Sequence, residues 1–220
     1  MIQHLLNEIK EPLRSSVFTK KLDGSPRFQN PKNFGGQEYG LNYLGYRNDF
    51  EFDEVKFEKV NLFFGCSHTF GVGLEQGDIY FNHIPKEDGV INVNMAIPGA
   101  GIQEVSYCIA GSLNKFYNIN KIYMFVPHIG TRPYSFEYNR SFNLGNLMEQ
   151  YSNEDIVAMM SPKHQKEYDL FLIKQWEDYL PNSIISIEHF SKEESVDFAK
   201  DGQHYGPLTH KNLSKRFYDR

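Results

Sequence analysis

The sequence predicts an α/β fold, a three-layer α/β/α sandwich with a central, mostly parallel sheet. Short apolar runs of strand length alternate along the chain with longer segments whose apolar residues recur at helical spacing. Strands that are separated by helices favour a parallel sheet with helices on both faces, because each helical connection packs back onto the sheet. The length of 220 residues suits one domain with additional surface structure.

Four apolar runs predict the strands of this sheet. The first lies in KVNLFF and ends at Gly65, and the third lies in KIYMFV and ends before Pro127. Short, mainly apolar runs that are bounded by glycine or proline are typical of strands that are buried on both faces. The predicted strands occupy residues 60–64, 89–94, 121–126 and 183–187.

Helices are predicted between the strands and at the end of the chain. The segment after the second strand has helical spacing of its apolar residues, which are Ile102, Val105, Ile109, Leu113 and Phe116. Ser161 and Pro162 combine a hydroxyl N-cap with proline at the first helical position, and they predict a helix to about Tyr179. A short helix is predicted over 78–84, and a last helix is predicted from about Pro207.

Two regions lie outside this alternation. We expect residues 1–220 to form a single domain in which residues 1–55 wrap irregularly around the sheet, because glycine and proline are frequent between Leu22 and Gly45. An insertion over 132–162 follows the third strand and is typical of a lid or a substrate wall. Its aromatic residues beside Arg and Asn suit a sugar or another planar, hydroxylated ligand, or they simply pack the insertion down.

The composition argues against several classes of function. A formal net charge of −5 does not suit a broad nucleic-acid-binding surface. No apolar run approaches the roughly 20 residues that span a bilayer, and no secretory signal is recognised, so we expect no membrane partner and a cytoplasmic location by default. The two cysteines and the spacing of the histidines match no metal-binding pattern, so neither a metal nor another cofactor is expected.

Two of the predicted strands are followed directly by segments whose residues could take part in catalysis. In open parallel sheets, ligands bind at the carboxyl ends of the strands. Ser67 follows the first strand on a tight turn, where its hydroxyl stands clear of the sheet as a nucleophile or else caps a helix. The segment AIPGAG, residues 96–101, follows the second strand, and its backbone N–H groups are oxyanion donors or else belong to a plain tight turn.

A third segment, DGQH, places Asp201 three residues before His204. Asp201 would hold the imidazole in one tautomer while His204 takes the serine proton, or it would only cap a turn beside an exposed histidine. Together the three segments supply a nucleophile, oxyanion donors and a base, which are the roles that acyl transfer requires. Cys66 is expected to be a buried hydrophobe, and His210 is less able to reach Ser67 from inside the last helix.

These segments resemble sequence blocks of the SGNH hydrolases, also called the GDSL esterase and lipase family. FFGCSHTFGVGL resembles the first block, with Ser67 as nucleophile and Cys66 where an aspartate is typical. NMAIPGAG is similar to the second block and DGQHYGPLTH to the fifth, while LNYLGYRNDFEF resembles a segment that precedes the first block in some members. The resemblance implies a flavodoxin-like sandwich and a triad of Ser67, His204 and Asp201. It also implies an oxyanion site formed by the backbone N–H groups of Ser67 and Gly99.

The third block departs from the family pattern. It usually reads G-x-N-D, and its asparagine donates to the oxyanion, but this chain has VPHIGTRPY at that place. His128 or Arg132 would donate instead, and the sequence does not choose between them. Arg132 suits an exposed surface charge equally well. Loss of one such donor costs roughly 10²- to 10³-fold in rate.

The resemblance implies a serine hydrolase that cleaves an ester without a cofactor. An O-acyl group on a carbohydrate or on a small molecule is the expected substrate. Two other interpretations remain open from the sequence: a catalytically silent binding or assembly protein with the same fold, and an acyltransferase. The irregular third block is the feature that favours the silent protein.

Overall fold

The centre of the structure, a computed structural model, is a four-stranded sheet in which every pairing is parallel. The structure describes residues 1–13, 39–135, 140–141, 162–189, 191, 193 and 195–218. Helices flank the sheet, so the fold class is α/β, as the sequence predicts.

The four strands of the main sheet follow the predicted runs closely, and two short strands that the sequence does not predict are also present. They are β1 (Val60–Phe64), β2 (Ile91–Asn94), β3 (Ile119–Val126), β4 (Tyr134–Ser135), β5 (Arg140–Ser141) and β6 (Ile185–His189). The main sheet has the order β2-β1-β3-β6, and the unpredicted strands β4 and β5 form a separate antiparallel pair. The fourth strand of the main sheet, predicted over 183–187, lies two residues further along the chain.

Six helices are described along the chain. They are α1 (Ile2–Glu8), α2 (Phe52–Val55), α3 (Ser67–Phe70), α4 (Ile102–Lys115), α5 (Pro162–Tyr179) and α6 (Pro207–Tyr218). The predictions of α4, α5 and α6 are confirmed. Ser161, the predicted cap of α5, lies outside the described residues.

The predicted helix over 78–84 is wrong. Two 3₁₀ turns, Gln76–Asp78 and Tyr80–Asn82, stand there, with Ile79 extended between them. The backbone N–H of Tyr80 donates to His210 Nδ1 on α6 at 3.1 Å and not to a helical carbonyl. A short helix is costly to nucleate, so this tertiary contact decides the local conformation.

The N-terminal region is more regular than the sequence predicts, because α1 stands where irregular structure was expected. α1 contacts α4 and α5, and the Asn114 side chain donates to the carbonyls of Leu6 and Ile9, each at 2.8 Å. These bonds satisfy carbonyls that a short helix leaves unpaired. The predicted wrap over 14–38 and most of the predicted insertion, 136–139 and 142–161, lie outside the described residues.

The two faces of the sheet carry different apolar clusters. Leu62 and Phe64 point to one face and pack with residues of α4 and α5, including the fully buried Trp176. Phe63 points to the other face and packs with α6 and the 3₁₀ turns. Successive side chains of a strand alternate between faces, so apolar β1 is buried on both. None of the helices that the structure describes is both long and apolar enough to cross a bilayer.

Candidate active site

The turn between β1 and α3 brings Ser67 to the carboxyl end of the sheet as the first residue of α3. Gly65 makes this turn as tight as it is. A Cβ at residue 65 would lie 2.2 Å from Thr69 Oγ1 and 2.9 Å from the Phe125 carbonyl oxygen. No side chain fits there, so the glycine allows β1 to run directly into the serine turn.

Gly65→Ala is expected to lower the free energy of unfolding by about 1–3 kcal/mol, because the added methyl overpacks the turn. The measurement is the denaturant midpoint of unfolding. Gly77→Ala is the matched control, since a Cβ at residue 77 meets nothing within 4 Å. Equal midpoints for the two variants would contradict the packing argument.

Arg47 fixes the far end of the short helix α3. Its buried guanidinium donates to the carbonyls of Gly71 at 2.6 Å and Leu74 at 2.8 Å. The guanidinium carbon lies 4.6 Å from the centre of the Tyr39 ring, which is a cation–π contact. Burial lowers the pKa of Arg47 to about 10, so the group is still charged at neutral pH. Arg47 therefore satisfies buried carbonyls next to the serine turn.

Two asparagines join the end of β2 to the same turn. Asn48 forms a pair of 2.9 Å hydrogen bonds with the backbone of Asn94. Asn94 in turn accepts from the Ala96 N–H at 3.0 Å and donates to the Thr69 carbonyl at 3.4 Å. The first and second predicted site segments are thus tied together by side chains.

A cavity of about 420 Å³ opens at this edge of the sheet. Ser67 lines it and is 9% exposed. The described lining residues come from the serine turn, from the segment after β3 and from the loop before α6. They are Cys66, Ser67, His68, His128, Arg132, Ser195, Phe198, Gln203, His204 and Tyr205. The structure therefore brings the predicted nucleophile, the predicted base and both candidates from the third block to one cavity.

The predicted base is oriented by the predicted aspartate. His204 Nδ1 lies 2.5 Å from Asp201 Oδ2, and Asp201 Oδ1 accepts the backbone N–H groups of Gln203 and His204, each at 3.0 Å. Burial raises the pKa of Asp201, but these hydrogen bonds outweigh burial and leave the pKa below its ordinary value. An ionised Asp201 that accepts Nδ1–H leaves Nε2 as the basic nitrogen of His204.

The loop that carries His204 is held at several points. The Ala199 N–H donates to the His204 carbonyl at 2.9 Å, and the Lys200 N–H donates to the Gly73 carbonyl at 3.3 Å. The Asp197 carboxylate accepts the N–H groups of Leu208 at 2.9 Å and Thr209 at 2.7 Å, which caps α6. His204 is thus fixed relative to both α6 and the segment that follows Ser67.

His68, which directly follows Ser67, packs against this loop. Its ring centre lies 5.2 Å from that of His204 and 4.4 Å from that of Tyr205. His68 Nδ1 accepts the Tyr205 N–H at 3.5 Å. Burial, and after it the neighbouring imidazoles, lower the pKa of His68 to about 3. His68 is therefore neutral near pH 7 and adds no charge beside His204.

The free energy of unfolding is expected to fall as the pH drops below about 6.5. Burial holds the pKa of His68 and that of His210 at about 3 in the folded chain, against an ordinary 6.5. Between these values the unfolded chain binds more protons, so stability is present above pH 6.5 and is lost toward pH 3. Each histidine contributes a slope of up to about 1.4 kcal/mol per pH unit. Burial raises the pKa of Asp169, which acts in the opposite direction.

Urea unfolding at pH 7.5, 6 and 5 measures this slope. His210→Asn keeps an acceptor for the Tyr80 N–H and removes one titrating group, so its slope is expected to be about half that of the parent chain. A free energy of unfolding that stays constant from pH 7.5 to 5 would contradict the assignment of two neutral buried histidines.

The predicted oxyanion glycine lies beside Arg132. Gly99 has φ +85°, and a Cβ there would lie 3.3 Å from Arg132 Nη1. A Cβ at residue 101 would lie 2.1 Å from the Arg132 carbonyl oxygen, so Gly101 also lets the two segments approach closely. Gly99 is not among the described residues that line the cavity, whereas Arg132 and His128 are. Within the described residues, the Arg132 side chain has neither a hydrogen-bond acceptor nor an ion-pair partner.

Two residues that were predicted to lie outside the catalytic group, Cys66 and His210, are buried. Cys66 is buried, although it is among the residues that line the cavity, and its sulfur lies 4.0 Å from Ser67 Oγ. His210 lies inside α6, is fully buried and is absent from the described lining of the cavity. His210 is therefore a core residue.

The sequence reasoning missed Arg47, Asn48, Asn94 and His68. Asn94 offers a signal, because it is a polar residue at the end of a predicted strand, directly before the second segment. The other three have no local signal, since their partners are distant along the chain. His68 and Tyr205, for example, are 137 residues apart.

Comparisons with known proteins do not indicate a family for this chain. No protein-family model matches the chain, and no curated protein matches it significantly. Among the residues with described positions, no group of three His, Cys, Asp or Glu side chains could hold a metal ion. The side chains that line the cavity are therefore the observations that indicate its chemistry.

Proposed function

We propose that this chain is a serine esterase of the SGNH type, with Ser67 as nucleophile, His204 as general base and Asp201 as the residue that orients His204. One observation carries the proposal. Ser67 and His204 line the same cavity, and the His204 ring is held through Nδ1 by Asp201. A basic Nε2 that can take the proton of a serine hydroxyl activates that serine as a nucleophile.

In the first step, Ser67 Oγ attacks the carbonyl carbon of the ester, and its proton passes to His204 Nε2. The carbonyl π electrons move onto oxygen and give a tetrahedral oxyanion. When that intermediate collapses, the bond from carbon to the alcohol oxygen breaks. The proton on His204 then goes to the departing oxygen, which leaves as an alcohol.

In the second step, water attacks the acyl-enzyme. His204 takes a proton from water, the bond between the acyl carbon and Ser67 Oγ breaks, and the proton returns to Ser67. The net reaction converts one ester and one water into one acid and one alcohol. Asp201 stabilises the imidazolium that forms in each half without itself becoming protonated.

Donors to the oxyanion come from the elements around the serine turn. The backbone N–H groups of Ser67 and Gly99 are the proposed pair, and Arg132 or His128 replaces the missing asparagine of the third block. The guanidinium beside Gly99 supports Arg132 in this role, since it has no acceptor or ion-pair partner among the described residues. Donors that are fixed before the reaction lower the barrier because they need not reorganise.

The proposed substrate is a small ester, with an O-acyl group on a carbohydrate or on another small molecule. A cavity of about 420 Å³ is at the lower end of the range for small-molecule sites, roughly 300–1,000 Å³. Most of its described lining residues have a polar group in the side chain, and Phe198 adds an exposed phenyl ring. A long fatty acyl chain would lack an apolar tunnel along these residues.

Hydrolysis of an acetyl ester by the purified chain tests the proposal. Acid release is followed in a pH-stat with an acetylated sugar and with a simple alkyl acetate, against buffer alone. A parallel reaction with a free sugar acceptor separates transfer to water from transfer to a hydroxyl. Absence of acid release and of transfer with every acetyl ester would leave the catalytically silent binding protein as the better account.

A further inference from the structure

Phe198 is an exposed apolar ring in the wall of the cavity. It is 62% exposed, yet it lines the same cavity as Ser67 and His204. A phenyl ring left this open to water gains free energy when a ligand covers it. A ligand that covered this ring would gain most from a flat and at least partly apolar face.

Phe198 is fixed relative to His204. It pairs with Tyr205 in an antiparallel bridge, and the next residue, Ala199, donates its N–H to the His204 carbonyl at 2.9 Å. On the other side of this bridge, the Gly206 N–H donates to the Asp197 carbonyl at 3.0 Å. Phe198 and His204 thus belong to one hydrogen-bonded loop.

The proposed reaction decides which half of an ester meets this loop. His204 must pass its proton to the departing alcohol oxygen, so the alcohol half has to lie on the side of His204. The carbonyl oxygen has to point the other way, toward Gly99 and Arg132. A ring that is attached to the His204 loop therefore borders the alcohol and not the acyl group.

We propose that Phe198 binds the alcohol half of the substrate and selects esters whose alcohol presents a flat ring face, an aryl ring or the C–H face of a pyranose. The proposal rests on the esterase function above and extends it to substrate choice. Aromatic side chains stack on flat faces, and the exposed Gln203 in the same wall supplies polar groups for hydroxyls of such a ring. Phe198 is a specificity residue, because the proton transfers do not involve it.

Phe198→Ala tests the assignment with three esters that share an acetyl group: phenyl acetate, an acetylated methyl pyranoside and ethyl acetate. We expect kcat/KM to fall about tenfold for at least one ring ester and to stay unchanged for ethyl acetate. Loss with only one ring ester identifies the ring as aryl or sugar. The control is Val196→Ala, which is 59% exposed in the same segment but is absent from the described lining.

The rate of deacylation distinguishes loss of a site that binds the departing alcohol from a general loss of catalysis. All three esters give the same acetyl-enzyme, and the alcohol has already left, so Phe198→Ala should deacylate at the parent rate. Equal losses for all three esters, no loss for either ring ester, or slower deacylation would overturn the assignment. Those results need an active parent chain, so they differ from failure of the esterase proposal, in which the parent chain hydrolyses none of the esters.

Discussion

Replacing Ser67 with alanine is expected to abolish ester hydrolysis, with kcat falling by about 10⁶-fold. The reason is chemical, because the acyl group has no other acceptor oxygen at the start of α3. Ser67 is a small residue on a turn that Gly65 and Arg47 hold in place, so the loss of one oxygen leaves the fold intact. The measurement is single-turnover and steady-state hydrolysis of an acetyl ester, with the far-ultraviolet circular dichroism spectrum as the folding check.

Cys66→Ala is the matched variant for this prediction. Cys66 lines the cavity and its thiol lies 4.0 Å from Ser67 Oγ, so the thiol is the other group that could accept an acyl chain. We expect this variant to keep its activity. Retained hydrolysis in Ser67→Ala, together with loss in Cys66→Ala, would contradict the serine mechanism and transfer the role to the thiol.

Asp201→Asn is expected to lower kcat by about 10⁴-fold with little change in stability. Asp201 accepts from Nδ1 of His204, whereas the amide of asparagine can donate to that nitrogen and favour the opposite tautomer. His204 would then present a protonated Nε2 to Ser67 and could not take its proton. The kinetic measurement is kcat for an acetyl ester across pH 6 to 9.

Asp178→Asn is the control for Asp201→Asn. Asp178 is exposed on α5 and pairs only with Lys174 among the described residues, so its loss should leave kcat unchanged. If Asp201→Asn kept kcat within tenfold of the parent, Asp201 would only shape the loop through its backbone hydrogen bonds, and the proposed triad would lose its third member.

The sequence predicts the strands of the main sheet well, because buried parallel strands are apolar runs with clear ends. β6 is displaced from its predicted place for a reason that periodicity cannot reveal. Its polar residue Glu188 is 1% exposed and pairs with Arg216 on α6, where Arg216 Nε lies 2.9 Å from Glu188 Oε2. A charge partner from a distant helix thus extends a strand past its apolar residues.

The sequence predicts those candidate site residues whose interaction partners lie only a few residues away along the chain. Asp201 and His204 lie three residues apart and interact directly, so their sequence spacing already contains the pairing. Arg47 and Phe198 were not predictable, because their roles depend on tertiary placement. Arg47 reaches carbonyls that lie 24 and 27 residues along the chain, and Phe198 matters only because its loop folds back beside Ser67.

Peptide mapping by mass spectrometry after treatment with a fluorophosphonate shows whether Ser67 is an activated nucleophile. This reagent modifies a serine whose hydroxyl is activated by a neighbouring base, and it requires no knowledge of the substrate. We expect one phosphonyl group per chain, located on Ser67, and much slower labelling of Asp201→Asn. A chain that stays unlabelled, or that carries the adduct on a residue other than Ser67, would contradict the serine mechanism.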